Sequence, residues 1–115
     1  MSAEFMEYRK ITKNEKRLLD YLVNKSAILL PHDWESHLKV QNMNDGNMGS
    51  IHLCLFPHND KNREYGTTIS ECHFKDSDGI DVIASLNLDK DGNLFELDIW
   101  KVDFTELKHI PLNFD

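Results

Sequence analysis

The sequence predicts a single α+β domain over residues 1–115, in which an antiparallel meander of about five strands carries an N-terminal helix on one face. One 3.6-residue apolar repeat lies near the N-terminus, and the apolar period changes to two from Leu38 onward. Asp-Gly turn signals separate the later alternating segments. A chain of 115 residues has the length of one domain, and its 40% hydrophobic content is too high for a disordered chain.

The helix is expected to begin at Thr12, because Thr12 and Glu15 have the spacing of a capping box. The helix should run to about residue 25, with one apolar stripe formed by Leu18, Leu19, Leu22 and Val23. Asp33 is placed to cap a short second turn through Trp34 and His37. The helical part of the domain therefore precedes the sheet.

The alternating segments predict five strands, and the polar segment 57–66 reads as a surface loop. Asp78-Gly79 and Asp91-Gly92 should form the last two hairpin turns, the first of them a three-residue loop with a left-handed Gly79. The predicted strands are 38–43, 50–56, 67–75, 80–88 and 94–102.

The alternation also predicts which side chains face the core. Only a register that turns Leu97 and Ile99 inward avoids burying Glu96 and Asp98. A four-residue loop at 89–92 would pair Leu86 with Phe95, Ala84 with Leu97 and Val82 with Ile99, with Ile80 and Leu88 also inward. The opposite face should then carry Glu71, His73, Asp81, Ile83, Ser85, Glu96, Asp98 and Trp100.

The acidic charge is concentrated in one stretch. The formal charge is -7, and residues 76–106 contain nine acidic and two basic side chains. A domain with a net negative charge is repelled by nucleic acids and anionic membranes, so the expected partner is a basic protein. The N-terminus lacks the apolar segment of a secretory signal, and no apolar run approaches the roughly 18 residues of a membrane span. We therefore expect a cytoplasmic protein that binds neither nucleic acid nor membrane.

Sequence motifs for chemistry are weak. The alternating Asp residues at 76–79 and 89–92 resemble calcium loops, but Gly follows the second Asp at once, as a hairpin requires. His52 and Cys54 share a strand face without a second ligand pair at zinc-finger spacing. Glu71, Glu96 and Asp98 would form an acid/base set only within a cleft. We predict no enzyme, no cofactor, no metal site, and free thiols at Cys54 and Cys72.

Trp100 has two interpretations. It either packs under the C-terminal segment Ile110-Pro111-Leu112, or it is an aromatic anchor within an acidic patch, the kind of residue that dominates protein interfaces. In the first case Phe104 also packs against the C-terminal segment. The sequence leaves both interpretations open.

The chain resembles a family of small bacterial proteins of about 100 to 120 residues that is known as a domain of unknown function. The resemblance covers nearly the whole chain and implies no activity and no catalytic residue. Its most specific run is 85–104, and relatives are expected to carry Gly where this chain has Asn47. The runs that carry it are Arg9-Lys10-Ile11-Thr12 with Glu15 and Leu18-Leu19, Asp45-Gly46-Asn47-Met48-Gly49-Ser50, Glu71 with Phe74 and Asp76-Ser77-Asp78-Gly79, and Ser85 to Phe104.

Three function classes compete. Small acidic single-domain bacterial proteins are often immunity proteins that neutralise a toxin such as a basic nuclease, and this analogy of class gives the first hypothesis. The second is a structural or regulatory interaction domain of unknown partner, and the third is a small enzyme or metal-binding protein. The predicted partner-binding residues are Glu71, Asp81, Glu96, Asp98, Trp100 and Asp103.

Overall fold

A computed structural model describes residues 7–56 and 62–114 of the chain. Over these residues it has a helix α1, a short 3-10 helix and five antiparallel strands, which confirms the predicted α+β class. Part of the predicted loop, residues 57–61 with His58, lies outside the described residues, as do residues 1–6. The elements are α1 (Lys13–Ser26), the 3-10 helix (Trp34–His37), β1 (Leu38–Asn42), β2 (Ile51–Leu55), β3 (Tyr65–Lys75), β4 (Asp81–Asp89) and β5 (Leu94–Lys101).

The start of α1 is fixed by the predicted capping box. The Thr12 hydroxyl accepts a hydrogen bond from Glu15 N–H, and the Glu15 carboxylate accepts one from Thr12 N–H. Arg9 reinforces the box with two hydrogen bonds to the same carboxylate, at 2.9 and 2.8 Å. The stripe of Leu18, Leu19, Leu22 and Val23 is buried against β3 and β4, as the periodicity predicted.

The strand order is β1-β2-β5-β4-β3, so the sheet is not the single meander that the sequence predicted. β3, β4 and β5 do form a meander, but β5 then pairs with β2. Leu97 and Ile99 on β5 are fully buried, whereas in the second half of β3 exposed charged residues alternate with buried ones. The apolar β5 therefore takes an interior position, and the charged β3 takes the edge.

The register of the last hairpin differs from the prediction by two residues. Leu86 pairs with Leu97 and Ala84 with Ile99, because Asp89 pairs with Asn93 around residues 90–92 and Phe95 is an extra residue in β5. Asp89 closes this loop: its N–H donates to Asn93 O, and its carboxylate accepts from Asp91 and Asn93 N–H. A shift of two preserves the faces, so Leu97 and Ile99 do point inward.

Two inward-facing predictions and one predicted residue pair need correction at the ends of these strands. Phe95 lies partly outside the core, with the Arg63 guanidinium 5.1 Å from its ring centroid. Ile80 is also only half-buried, since it belongs to the turn before β4. Val82 pairs with Lys101 rather than with Ile99. The loop at Gly79 has the predicted left-handed conformation, with φ of 82°.

β2 and β5 are joined by a short junction, which we call the β2–β5 seam. Only Ile51 with Leu97 and His52 with Glu96 pair directly. At one end Ser50 Oγ accepts from Ile99 N–H at 2.8 Å and lies 3.1 Å from Ile99 O. At the other end Arg63 donates to the carbonyl oxygens of Leu53 and Leu94. Side chains thus continue the strand pairing where the two strands diverge.

We predict that Ser50→Ala destabilises the domain by about 1 to 3 kcal/mol, because it leaves the buried Ile99 N–H without its acceptor. Urea unfolding should show a lower midpoint with an unchanged slope. The control is Ser85→Ala, which removes a half-buried hydroxyl on β4 whose contact with Glu71 is 3.5 Å long. Equal losses in the two variants would contradict a special role for Ser50.

Candidate functional site on the open face of the sheet

The sheet has one face against α1 and one that α1 does not cover, which we call the open face. Cross-strand pairing arranges its side chains in rows: Glu71, Ser85 and Asp98 form one row, and His73, Ile83 and Trp100 form the next. Ser85 therefore lies opposite Asp98 rather than Glu96, and Ile83 lies opposite Trp100 rather than Asp98. Lys75 lies opposite Asp81 at the end of β3.

Trp100 lies on this open face with 43% of its surface exposed. Its ring contacts Phe104, with centroids 6.2 Å apart, and Phe104 is itself 69% exposed. The C-terminal segment does not cover Trp100: Ile110 is buried in the core, and Arg17 of α1 donates to Ile110 O and Pro111 O. The interpretation of Trp100 and Phe104 as residues packed under that segment is therefore wrong.

A row of polar side chains crosses four strands of the open face, and Glu96 belongs to it. Thr68 Oγ1 donates to Asn87 Oδ1 at 2.7 Å, and Asn87 Nδ2 donates to Glu96 Oε1 at 3.3 Å. His52 Nδ1 lies 3.7 Å from the other oxygen of Glu96. The Glu96 side chain is on the predicted face but is only 18% exposed. Its contacts within the sheet leave it less available to a partner than Asp98.

The other predicted partner-binding acids are exposed and lie towards the Trp100 end of the sheet. Asp98 accepts from Ser50 Oγ at 3.2 Å, and Glu71 lies 3.5 Å from His73. A hydrogen bond from Lys75 at 2.8 Å lowers the pKa of Asp81. Asp103 follows β5, and hydrogen bonds from Thr105 lower its pKa. Four exposed carboxylates therefore lie on the same end of the sheet as an exposed tryptophan.

Part of the acidic stretch 76–106 points into the protein rather than towards a partner. Asp89 is buried and forms a 2.9 Å ion pair with Arg63. Lys101 has no exposed surface, and its ammonium group lies 2.9 Å from Asp76 and 2.6 Å from Asp78. Three of the nine acids, Asp76, Asp78 and Asp89, thus stabilise turns. The acidity available at the surface is smaller than the sequence count suggested.

Lys101 and Asp76 form a buried ion pair beneath the end of the open face. Burial would raise the pKa of Asp76, but hydrogen bonds from Lys108 N–H, Lys101 Nζ and Ser77 N–H outweigh it and lower the pKa to about 2. Burial likewise opposes the charge of Lys101, but its hydrogen bonds to Asp78 and Asp76 raise its pKa. Both groups are therefore charged at neutral pH.

Within residues 7–56 and 62–114, no three His, Cys, Asp or Glu side chains converge to hold a metal ion. In the two Asp-rich turns, the buried carboxylates of Asp76 and Asp89 bind backbone N–H groups and basic side chains. Cys54 and Cys72 are buried, and no disulfide joins them.

Sequence reasoning missed the roles of Lys101 and Arg63 and misplaced Phe104. The alternation Leu97, Ile99, Lys101 places Lys101 on the core face, and the two nearby acids are the signal that could have identified a buried lysine. Phe104 turns back towards Trp100 because its N–H donates to Lys101 O. Arg63 carried no signal, since it lies in a polar loop whose path depends on the strand order.

The fold and surface define a small α+β domain that presents one open, partly acidic sheet face. Comparison with protein families places the chain in the DUF6984 domain of unknown function, whose match covers residues 8–111, and the chain belongs to that family. No curated protein and no solved structure matches the chain. In the part of the chain that the structure describes, no helix is long and apolar enough to cross a membrane.

We predict that acid destabilises the domain through Asp76. A carboxyl group whose pKa falls from 3.8 to about 2 on folding contributes roughly 2 kcal/mol above pH 4, and this contribution is lost as the pH falls from about 4 towards 2. The free energy of unfolding of Asp76→Asn, measured against pH, should be lower at pH 7 and fall less over that interval. An unchanged pH profile in Asp76→Asn would contradict this assignment.

The same cluster makes a prediction for Lys101. Lys101→Met should lower the melting temperature by roughly 10 °C or more, because it leaves the buried Asp76 carboxylate without its cation. Lys90→Met removes an exposed lysine paired with Glu64 and serves as the control, with little expected change.

Proposed function

We propose that this chain is a small protein-binding domain, and specifically a cytoplasmic immunity protein that neutralises a basic toxin by covering part of its surface. The partner would bind at the open face around Trp100, with contributions from Glu71, Asp81, Asp98 and Asp103. Glu96 would support this surface from within the polar row. The observation that carries the proposal is the exposure of Trp100 among carboxylates.

Trp100 has the properties of an interface anchor. Tryptophan is enriched among the residues that dominate binding energy, because one rigid ring buries a large area at small entropic cost. Here the Trp100 ring is 43% exposed, although Ile83 lies beside it and Phe104 contacts it. A partner that covers this corner would gain apolar burial without rearranging the sheet.

The charge of the surroundings favours a basic partner over an acidic one. Asp98, Glu71 and Asp103 are exposed near Trp100, and the chain as a whole carries a formal charge of -7. Complementary charge raises the association rate strongly at low salt and suppresses wrong partners. A toxin that cleaves nucleic acid needs a basic surface, which such a domain would cover.

A structural or regulatory interaction domain would use the same surface without a toxin. Two tests separate this alternative from the proposal. The gene next to the one for this chain should encode a basic toxin domain, and co-expression of this chain should restore growth to cells that make that toxin. A pull-down from the source organism with this chain as bait should recover the toxin, and recovery of general chaperones only would contradict the proposal.

With the toxin in hand, we predict different kinetic effects for a charge and for the ring. Asp98→Lys should slow association by roughly tenfold at low salt and reduce its salt dependence. Trp100→Ala should accelerate dissociation. The expected loss of binding free energy is about 2 kcal/mol if the ring is a central anchor. Stopped-flow or surface-based kinetics at several salt concentrations measures both.

The matched control is Asp91→Lys. It makes the same change of charge on an exposed acid, but in the turn at the opposite end of β5. It should alter association much less than Asp98→Lys. Melting curves of every variant are needed, because a Trp100→Ala protein that unfolds early but binds normally would assign the ring to stability and contradict the proposed interface.

A further inference from the structure

The outer edge of β3 forms a second surface, which adjoins the proposed toxin contact at Trp100 and shares Glu71 with it. β3 is the last strand of the sheet and has 11 residues, and its pairs with β4 run without irregularity from Ser70 to Lys75. At the other edge, the N–H and carbonyl of Arg9 bind the carbonyl and N–H of Val40 on β1. In the described residues no backbone segment pairs in this way with the outer side of β3. An open edge of this kind is a template for strand pairing.

Two hydrogen bonds show which backbone groups face outward. Asp76 N–H donates to Ile80 O, so residues 76, 74 and 72 direct their backbone groups towards β4. Glu71 O accepts from Lys25 Nζ at 2.7 Å, on the side away from β4. The N–H and carbonyl groups of residues 71, 73 and 75 therefore point away from the sheet.

We propose that β3 pairs with β3 of a second copy of this chain, antiparallel and centred on His73. A two-fold axis at His73 places Glu71 of each copy opposite Lys75 of the other, giving two opposite-charge pairs. Centring on residue 71 or residue 75 would instead oppose two glutamates or two lysines. The outward-facing groups of residues 71, 73 and 75 match this register, and the two sheets become one of ten strands.

Lys25 is the group that this pairing displaces. Its ammonium group donates a hydrogen bond to Glu71 O. In the dimer, this carbonyl oxygen would instead accept from Lys75 N–H of the second copy. The side chain also lies over the Tyr21 ring, 5.9 Å from the centroid. Lys25 therefore competes with self-association, and its removal should strengthen the dimer.

Charge exchange tests the register. Sedimentation equilibrium of the full chain, from about 10 μM to about 1 mM, should show a monomer–dimer equilibrium. Glu71→Lys and Lys75→Glu should each weaken the dimer by about tenfold, since each replaces two attractive pairs with two repulsive ones. The double variant should restore the parent affinity, and Lys25→Met should tighten the dimer severalfold. Lys90→Glu, an exposed lysine outside β3, is the charge control and should have little effect.

His73→Pro adds a test of the backbone. It removes an outward N–H that β4 does not use, so the monomer should fold and the dimer should be lost. If this variant does not fold, the charge exchange decides alone. A parent chain that stays monomeric over the whole range overturns the proposal, and so does a double variant that dimerises no better than the single ones. Toxin binding is tested separately through Asp98→Lys and Trp100→Ala, because both residues lie on β5 and not on the outer edge of β3.

Discussion

A lysine without exposed surface connects the turn between β3 and β4 with the end of β5 and with the segment that follows β5. Lys101 Nζ binds Asp76 and Asp78 in the turn between β3 and β4, and it donates to Glu106 O in the C-terminal segment at 3.0 Å. Asp76 in turn accepts from Lys108 N–H. Because a buried charge without its partner costs several kcal/mol, this cluster fixes the turn, the end of β5 and the start of the C-terminal segment together.

The same constraint produces the proposed binding surface. Adjacent residues of a strand point to opposite faces, so burying Lys101 directs Trp100 outward. The chain then turns back, with Phe104 N–H bound to Lys101 O, which brings the Phe104 ring beside Trp100. The C-terminal segment continues to the other side of the sheet, where Arg17 and the core hold Ile110. The exposed aromatic corner is thus a consequence of the buried charge.

Sequence patterns predicted those features that depend on neighbouring residues. The capping box at Thr12 follows from the spacing of two residues, and the apolar stripe of α1 and the inward direction of Leu97 follow from local periodicity. The strand order depends on a long-range contact, the pairing of β5 with β2. The two-residue register shift depends on how Asp89 closes its loop and on the extra residue Phe95, which alternation alone does not specify. At the site, the direction of Trp100 was predictable from alternation, but its exposure was not, since that depends on where the C-terminal segment runs. Asn47 has φ of 64°, a left-handed conformation that glycine adopts without steric cost.

The narrow β2–β5 seam divides the sheet into two assemblies, the β1–β2 hairpin and the three-stranded unit β3–β4–β5. Within each assembly the strands follow one another along the chain. At the seam, only two residue pairs join the assemblies, Ile51 with Leu97 and His52 with Glu96. Closing so distant a contact is entropically slow, so we expect the three-stranded unit to form early during folding and the hairpin to dock late. In the native protein, the amide protons of the hairpin should then exchange with solvent through a partial opening that leaves β3, β4 and β5 protected.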